Sequence, residues 1–295
     1  MTGIQLRIID AFTDRPYAGN QAAVVLLEAG WPDEVWMQQV AAEIGFSETA
    51  FAHPLSGTEA ADADWALRWF TPVSEVDLCG HATLATAHAI AADARFADGE
   101  PRDSTVRFRT RSGMLPTHVA ADGSITLDFP AAAVTAMGVP EGLAEALRLT
   151  PVEVYNTGKL ADWLVVVQDE ATVRACAPDS SAVAAVTKRH DVRGIIVTAA
   201  AAEPDGEFDF VSRFFAPVAG VPEDPVTGSA HTALAPYWTD RLGRTQLVGL
   251  QASARTGLIR TTVVRRITGD RVHLTGSAVT ILDGTWLQGP STVSR

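Results

Sequence analysis

Glu48 is the residue whose neighbours best suit acid/base chemistry. It lies in the apolar, strand-like run Gly45-Phe46-Ser47-Glu48-Thr49-Ala50-Phe51, which follows a predicted helix. Such surroundings disfavour the charged carboxylate and raise its pKa, which a general acid/base acting near neutral pH requires. A surface glutamate at the edge of a loop is the alternative that this segment leaves open.

Two glycines at predicted helix starts offer a way to bind an anion. Gly80 is followed by His81, and Gly228 is followed by Ser229. A glycine lets a ligand approach the backbone, while the first N–H groups and the positive end of the helix dipole favour a carboxylate. His81 can donate a hydrogen bond from its ring, and Asp224 places a carboxylate just before Ser229. An ordinary helix start with a good N-cap is the alternative.

The segments around these glycines form an internal repeat, which is the first pattern to seek in a chain of this length. Arg68-Trp69-Phe70-Thr71-Pro72 precedes Gly80, and Arg213-Phe214-Phe215-Ala216-Pro217 precedes Gly228. In each copy an acidic loop then leads into an alanine-rich helix. The two glycines lie 148 positions apart in 295 residues, half of the chain. The repeat predicts two homologous lobes.

Short apolar segments separated by turn signals predict a strand-rich protein around these helices. The expected strands are 5–12, 22–27, 105–111, 115–120, 124–129, 162–167, 194–198, 208–215, 257–264, 271–275 and 279–282, and further helices are expected at 32–44 and 140–149. Many short strands around a few helices indicate an α+β protein. We divide it into an N-terminal lobe of residues 1–129, completed by the strand at 279–290, and a C-terminal lobe of residues 130–278. Because small-molecule sites favour domain interfaces, we expect the active site in the cleft between the lobes.

Composition and charge exclude several classes of protein. The chain is 47% hydrophobic and 20% charged, as folded globular proteins are. A net charge of −12 with only two lysines, Lys159 and Lys188, argues against nucleic-acid binding. No apolar stretch approaches the length of a membrane span and no signal peptide is evident, so we expect a cytoplasmic protein that binds no membrane. Of the two cysteines, Cys176 is expected to be a small buried apolar residue.

Several motifs occur in order along nearly the whole chain: Asp10-Ala11-Phe12-Thr13, Ala18-Gly19-Asn20, Ser47-Glu48-Thr49-Ala50-Phe51, Arg68-Trp69-Phe70-Thr71-Pro72, Leu78-Cys79-Gly80-His81-Ala82-Thr83, Arg213-Phe214-Phe215-Ala216-Pro217 and Glu223-Asp224-Pro225-Val226-Thr227-Gly228-Ser229-Ala230. Together they resemble the PhzF-like phenazine-biosynthesis isomerase family. The resemblance implies a diaminopimelate-epimerase-like fold, in which each of two similar lobes wraps a β-barrel-like sheet around a central helix. It also implies a homodimer.

The activity that the resemblance implies is an isomerisation of a small carboxylic acid by a proton shift. In phenazine-producing members the substrate is trans-2,3-dihydro-3-hydroxyanthranilate, and neither a metal nor an organic cofactor takes part. Carried onto this sequence, the catalytic residues are Glu48, Asp224 and His81, with Glu48 removing and redelivering the proton. The substrate-binding residues are Gly80, Gly228, Ser229, Asn20 and Cys79.

Other functions remain open at this stage. An amino-acid racemase or epimerase could use Glu48 with Asp224 or Cys79, although related enzymes use two thiols and the repeat partner of Cys79 is Thr227, whose hydroxyl is a very weak acid. A metal hydrolase built on Asp224, His231 and Glu48 lacks any usual ligand spacing, so no metal is expected. A binding protein that keeps the fold without catalysis is the last alternative.

Two positions depart from the family pattern and bear on the substrate. Gln21 stands where the family often has proline, and Ala252 stands where we would expect glycine.

Overall fold

The computed structural model describes residues 3–93, 95 and 103–290. The described residues form eighteen strands, β1 (Ile4–Ala11), β2 (Asn20–Leu26), β3 (Thr49–Pro54), β4 (Trp65–Phe70), β5 (Glu75–Val76), β6 (Ser104–Thr110), β7 (Gly113–Val119), β8 (Ile125–Pro130), β9 (Thr135–Met137), β10 (Glu153–Asn156), β11 (Asp162–Val166), β12 (Gly194–Ala200), β13 (Phe210–Ala216), β14 (Val221–Asp224), β15 (Gln246–Gln251), β16 (Gly257–Val264), β17 (Arg271–Gly276) and β18 (Ala278–Trp286). The α-helices of the same residues are α1 (Glu34–Ile44), α2 (Gly80–Ala91), α3 (Leu143–Leu147), α4 (Glu170–Ala175), α5 (Ser180–Arg189) and α6 (Gly228–Leu242). In this part of the chain no helix is long and apolar enough to cross a membrane.

The chain separates into two compact units. One comprises Met1–Asp128 with Thr275–Arg295, and the other comprises Phe129–Leu274. We call them the N-terminal and the C-terminal unit.

The sheet of the N-terminal unit begins with three antiparallel strands. β1 pairs antiparallel with both β2 and β18. β2 then pairs in parallel with β3, β3 antiparallel with β4, β4 antiparallel with β5 and in parallel with β6, and β6 antiparallel with β7. Because β2 and β3 are parallel and Thr49 pairs with Ala23, the N-terminal ends of the two strands lie close together.

The C-terminal unit repeats this order of pairings. β10 pairs antiparallel with β11, β11 in parallel with β12, and β12 antiparallel with β13. β13 pairs antiparallel with β14 and in parallel with β15, and β15 pairs antiparallel with β16. The succession of parallel and antiparallel pairs from β2 to β7 thus recurs from β11 to β16, and α6 takes the place of α2. The prediction of two similar lobes in an α+β protein is confirmed.

The two repeat helices are buried on nearly all sides. Every residue of α2 from His81 to Ala87 is buried, and so is every residue of α6 from Ala230 to Thr239. A helix that is buried all round needs small or apolar side chains on every face, which explains the alanine-rich sequences. In the C-terminal unit, Ala233, Tyr237 and Trp238 of α6 pack against strand residues such as Phe210 and Leu247.

The secondary structure differs from the sequence-based expectation in the C-terminal unit. The helix expected over residues 140–149 is the shorter α3, because Gly142 and Arg148 at its two ends adopt left-handed backbone conformations. Helices α4 and α5 and strand β15 were not predicted.

Candidate active site

Glu48 is held at the start of β3 by the way α1 ends. Gly45 caps α1 in a left-handed conformation with φ of 72°, and its N–H donates to the carbonyl of Ala41 at 3.0 Å. The chain then turns into β3, which begins at Thr49 beside β2. The Glu48 side chain is 18% exposed, so it is largely but not wholly buried. It is therefore not the surface glutamate of a loop edge.

Asn20 lies near Glu48 because it is the first residue of β2, whose N-terminal end lies beside that of β3. It is fully buried, and Gly19 before it has a φ of 66°. A Cβ at Gly19 would lie 2.1 Å from the carbonyl oxygen of Ala11 on β1, so only glycine fits there. The Ala18-Gly19-Asn20 motif is thus a tight turn that delivers a buried amide.

Cys79 and His81 come from the start of α2, which packs against β2. Cys79 is the N-cap residue, and its side chain makes no capping hydrogen bond. The side-chain hydroxyl of Thr83 instead donates to the Cys79 carbonyl at 2.6 Å. Cys79 is 6% exposed and His81 is 5% exposed. Both side chains are therefore held in place by the surrounding unit.

These four side chains, Asn20, Glu48, Cys79 and His81, lie together, and we call them the acid/base cluster. His81 Nε2 is 3.4 Å from Glu48 Oε2, and His81 Nδ1 is 3.3 Å from Asn20 Nδ2 and 3.5 Å from Cys79 Sγ. With this assignment of the Asn20 amide, Nδ2 can only donate, so His81 Nδ1 accepts. The ring proton of a neutral His81 then lies on Nε2, which faces the carboxylate.

The electrostatic character of the cluster follows from this tautomer. A neutral imidazole that directs its N–H toward a carboxylate orients the carboxylate and leaves the negative charge of the carboxylate in place. Glu48 can then accept a proton from a ligand while His81 stabilises and positions the carboxylate. The arrangement suits general acid/base catalysis, in which geometry comes before pKa.

The residues predicted around Gly228 form a second group in the C-terminal unit. The Thr227 hydroxyl donates to Asp224 Oδ2, and its backbone N–H donates to Gln251 Oε1 at 2.8 Å. Gln251 Nε2 also donates to the Asp224 carbonyl at 2.7 Å. Thr227 is the N-cap of α6, as Cys79 is of α2, and its side chain likewise makes no capping hydrogen bond to the helix. The ordinary reading of a well-capped helix start fits neither helix.

Arg193 is a residue of this second group that the sequence analysis missed. Its Nη2 donates to Ser229 Oγ at 3.0 Å, and its Nε donates to Asp162 Oδ1 at 2.9 Å. Burial raises the pKa of the Asp162 carboxyl even though Arg193 opposes that shift. The first helical turn of α6 is thus accompanied by a guanidinium group.

The internal repeat locates Arg193 once the strand registers are known. Thr49 pairs with Phe70 on β4, and Ile195 pairs with Phe215 on β13. Since Phe70 and Phe215 match in the repeat, Gly194 occupies the position of Glu48 and Arg193 stands beside it. A Cβ at Gly194 would lie 2.5 Å from the Phe214 ring, so an acidic residue at that position of the C-terminal unit would require this ring to move.

His231 is a buried residue with a structural role. It is fully buried, its Nδ1 lies 2.8 Å from the Thr227 carbonyl oxygen, and burial lowers its pKa to about 4. Among the described residues, the group of acidic, cysteine and histidine side chains that could hold a metal ion consists of Glu48, Cys79 and His81. The ligand set considered for a metal hydrolase, Asp224 with His231 and Glu48, is not such a group.

Comparisons with known proteins agree with this architecture. Residues 9–284 match the family model described as phenazine biosynthesis-like protein. An uncharacterized isomerase of Pseudomonas aeruginosa is 46% identical over 277 residues, which cover 94% of this chain and 96% of that protein.

Solved structures show the same fold. The crystal structure of a phenazine biosynthesis protein of the PhzF family from Enterococcus faecalis has a TM-score of 0.84 and 36% sequence identity, covering 97% of this chain and 100% of that one. A predicted epimerase from Pseudomonas aeruginosa, at 20% identity, has a TM-score of 0.71 over 97% of this chain and 100% of its own and so shares the fold. The epimerase-like fold predicted from the sequence is confirmed. This chain belongs to the phenazine biosynthesis-like (PhzC-PhzF) family and is an enzyme of the isomerase class.

Proposed function

We propose that this chain catalyses a cofactor-independent proton shift on a small carboxylic acid, with Glu48 as the acid/base residue. The substrate is trans-2,3-dihydro-3-hydroxyanthranilate or a related biosynthetic acid. The observation that carries the proposal is the 3.4 Å contact of Glu48 Oε2 with His81 Nε2 in a largely buried cluster.

One carboxyl group is enough both to remove a proton from the substrate and to return one to it. The Glu48 carboxylate takes a proton from one carbon of the substrate, and the electron pair of that C–H bond shifts the double bond. Protonated Glu48, whose proton can exchange with solvent because the side chain is 18% exposed, then protonates a second carbon, so the product is an isomer of the substrate. Since glycine occupies the position of Glu48 in the C-terminal unit, this one-base route fits the asymmetry of the repeat better than a two-base route does.

We further propose that Asp224, Gly228 and Ser229 bind and polarise the substrate, as do Asn20, Cys79 and Gly80. In support, neither N-cap side chain makes a capping hydrogen bond to its helix, which favours an anion as the partner of the first turn. The guanidinium of Arg193, which is paired with Asp162, also holds Ser229 Oγ by a hydrogen bond near the start of α6.

The proposal is tested by turnover in heavy water. The purified protein is incubated with trans-2,3-dihydro-3-hydroxyanthranilate and a panel of related unsaturated amino and hydroxy acids in D₂O, and the mixtures are followed by NMR and mass spectrometry. We expect isomerisation of at least one acid with deuterium at the new C–H position. Absence of both isomerisation and exchange across the panel would favour a binding protein without catalysis.

Amino-acid epimerisation is the second candidate, because Cys79 Sγ lies 3.5 Å from His81 Nδ1 and a thiol can act as an acid/base. Loss of optical activity in a solution of an enantiopure amino acid would favour it. In that case Cys79→Ser would abolish the change, whereas the proton-shift mechanism expects Cys79→Ser to lose less activity than Glu48→Gln.

We also propose that the enzyme works as a homodimer in the cytoplasm, as the family resemblance implies. Analytical ultracentrifugation of the purified protein measures its oligomeric state, and a monomer at micromolar concentration would contradict the first part of this proposal.

A further inference from the structure

The acid/base cluster brings three different kinds of metal-ligand atom together. A carboxylate oxygen of Glu48, the sulfur of Cys79 and a ring nitrogen of His81 all lie within 4.8 Å of one another. We propose that these side chains form a binding site for Zn²⁺ and that the bound ion switches off the acid/base residue. Binding of the ion is independent of the proposed function, whereas the inhibition rests on the proposed function of Glu48.

The distance between His81 and Glu48 fits a tetrahedral ion, and Cys79 reaches the ion by a change of rotamer. Zinc bonds of about 2.3 Å to sulfur and about 2.0 Å to nitrogen and oxygen put the sulfur and nitrogen about 3.6 Å apart and the nitrogen and oxygen about 3.3 Å apart. In the structure His81 Nε2 is 4.0 Å from Cys79 Sγ and 3.4 Å from Glu48 Oε2. Cys79 Sγ lies nearer Nδ1, at 3.5 Å, than Nε2, so the Cys79 side chain must turn to another rotamer to bring its sulfur to the ion on Nε2.

The donor set selects the ion. Thiolate and imidazole are the ligands of zinc and related borderline-soft ions, whereas magnesium and calcium prefer oxygen ligands only. Three protein ligands leave the fourth position of a tetrahedral ion open for water or for the carboxylate of a substrate analogue. We therefore expect Zn²⁺ and its spectroscopic substitute Co²⁺ to bind, and Mg²⁺ not to.

Asn20 provides the hydrogen bond that a metal-bound histidine requires. When Nε2 binds the ion, the ring proton must lie on Nδ1 and be donated to an acceptor. Asn20 Nδ2 is 3.3 Å from Nδ1, and a half-turn of the amide places its oxygen in the same position. The ring proton moves from Nε2 to Nδ1 and the Cys79 thiol loses its proton, so binding of one ion releases one proton to solvent.

Cobalt absorption tests the site without any assay of turnover. The untagged protein is titrated with Co²⁺ under reducing conditions, and the thiolate-to-cobalt charge-transfer band in the near ultraviolet is recorded. We expect this band, with the strong visible bands of a tetrahedral ion, at a stoichiometry of one, and displacement of cobalt by one equivalent of Zn²⁺.

Matched variants locate the binding atoms. Cys79→Ser should lose the charge-transfer band, and Cys176→Ser should keep it, because Cys176 lies elsewhere with its thiol toward the Leu147 carbonyl at 3.8 Å. Asn20→Ala should weaken cobalt binding about 10–100-fold, as loss of a partner of a metal-bound histidine does. Circular dichroism shows whether each variant is folded. No charge-transfer band in the wild-type protein, or a band that survives in folded Cys79→Ser, would overturn the proposed site.

Inhibition is measured separately on an active preparation. We expect Zn²⁺ at one equivalent to remove at least 90% of turnover and EDTA to restore it, with the same behaviour in Cys176→Ser. A protein that shows the cobalt spectrum but keeps full turnover with zinc bound would refute the switch while leaving the site in place. A protein that shows the spectrum but turns over no acid would refute the proposed function alone.

Discussion

Glu48→Gln separates the chemistry of Glu48 from its contacts. Glutamine has the same length as glutamate, so its amide oxygen can occupy the place of Glu48 Oε2, 3.4 Å from His81 Nε2, and still accept the ring N–H. Only the ability to take a proton is lost. Since general acid/base groups contribute about 10²–10⁴-fold to rate, we expect turnover to fall by at least that factor. This loss corresponds to about 3–5 kcal/mol in the activation free energy.

Stability and binding should change little in this variant. Glutamine keeps a hydrogen-bond acceptor opposite His81 Nε2, so the free energy of unfolding should stay within about 1 kcal/mol of the wild type. Glu43→Gln is the matched control, because Glu43 is an exposed glutamate near the end of α1. Glu48→Asp tests distance, since shortening by one methylene moves the carboxylate by more than about 1 Å and should cost about 10²-fold.

The assay is turnover in D₂O with substrate affinity measured in parallel by calorimetry. We expect Glu48→Gln to bind the substrate with an affinity near that of the wild type and to incorporate no deuterium. Normal turnover by Glu48→Gln, or an equal loss in Glu43→Gln, would refute the assignment of the proton to Glu48.

Three further predictions concern the residues around the site. Gly19→Ala should lower the free energy of unfolding by about 3 kcal/mol or more, because its Cβ would lie 2.1 Å from a strand carbonyl oxygen, whereas Gly45→Ala, with open space around it, should lose only about 1 kcal/mol; equal losses in urea denaturation would contradict this. Burial lowers the His231 pKa from 6.5 to about 4, so between these pH values the unfolded state binds a proton that the folded state does not. The free energy of unfolding should therefore decrease by up to about 3 kcal/mol as the pH drops from 6.5 to about 4. His231→Asn should flatten this part of the pH profile, and an unchanged slope would argue against this account. Nitrogen NMR should find the His81 ring proton on Nε2 in the wild type and on Nδ1 in Asn20→Asp, where the donor is replaced by an acceptor; an Nδ1 proton in the wild type would refute the tautomer.

Local signals predicted many of the strands. Residues 257–264 were expected as a strand and form β16 with the same bounds, because buried and less buried positions alternate between two turns. Helices α4 and α5 were missed although each begins after an aspartate, Asp169 and Asp179, whose side chain caps the first turn. Both helices are short and rich in small residues, so their apolar periodicity is weak and the capping pattern was the signal to follow.

The acid/base cluster could be predicted only in part. The sequence identified Glu48, Cys79 and His81 as candidates, but their proximity depends on the parallel pairing of β2 with β3 and on the packing of α2 against β2. Pairings between segments so far apart in the chain leave no local pattern. Arg193 was missed for a related reason, since its place beside the counterpart of Glu48 emerges only when strand registers are compared.

The pairing of β1 with β18 has a consequence for the order of folding during synthesis. The C-terminal unit is made of one continuous segment, Phe129–Leu274, whereas the sheet of the N-terminal unit includes Ala278–Trp286. Domains tend to fold as units while the chain emerges from the ribosome. The continuous unit can therefore fold first, and β1 waits with one edge uncovered until residues 278–286 have been translated. The half of the molecule that carries Glu48 is thus the last to complete its hydrogen bonds, although it is the first to be made.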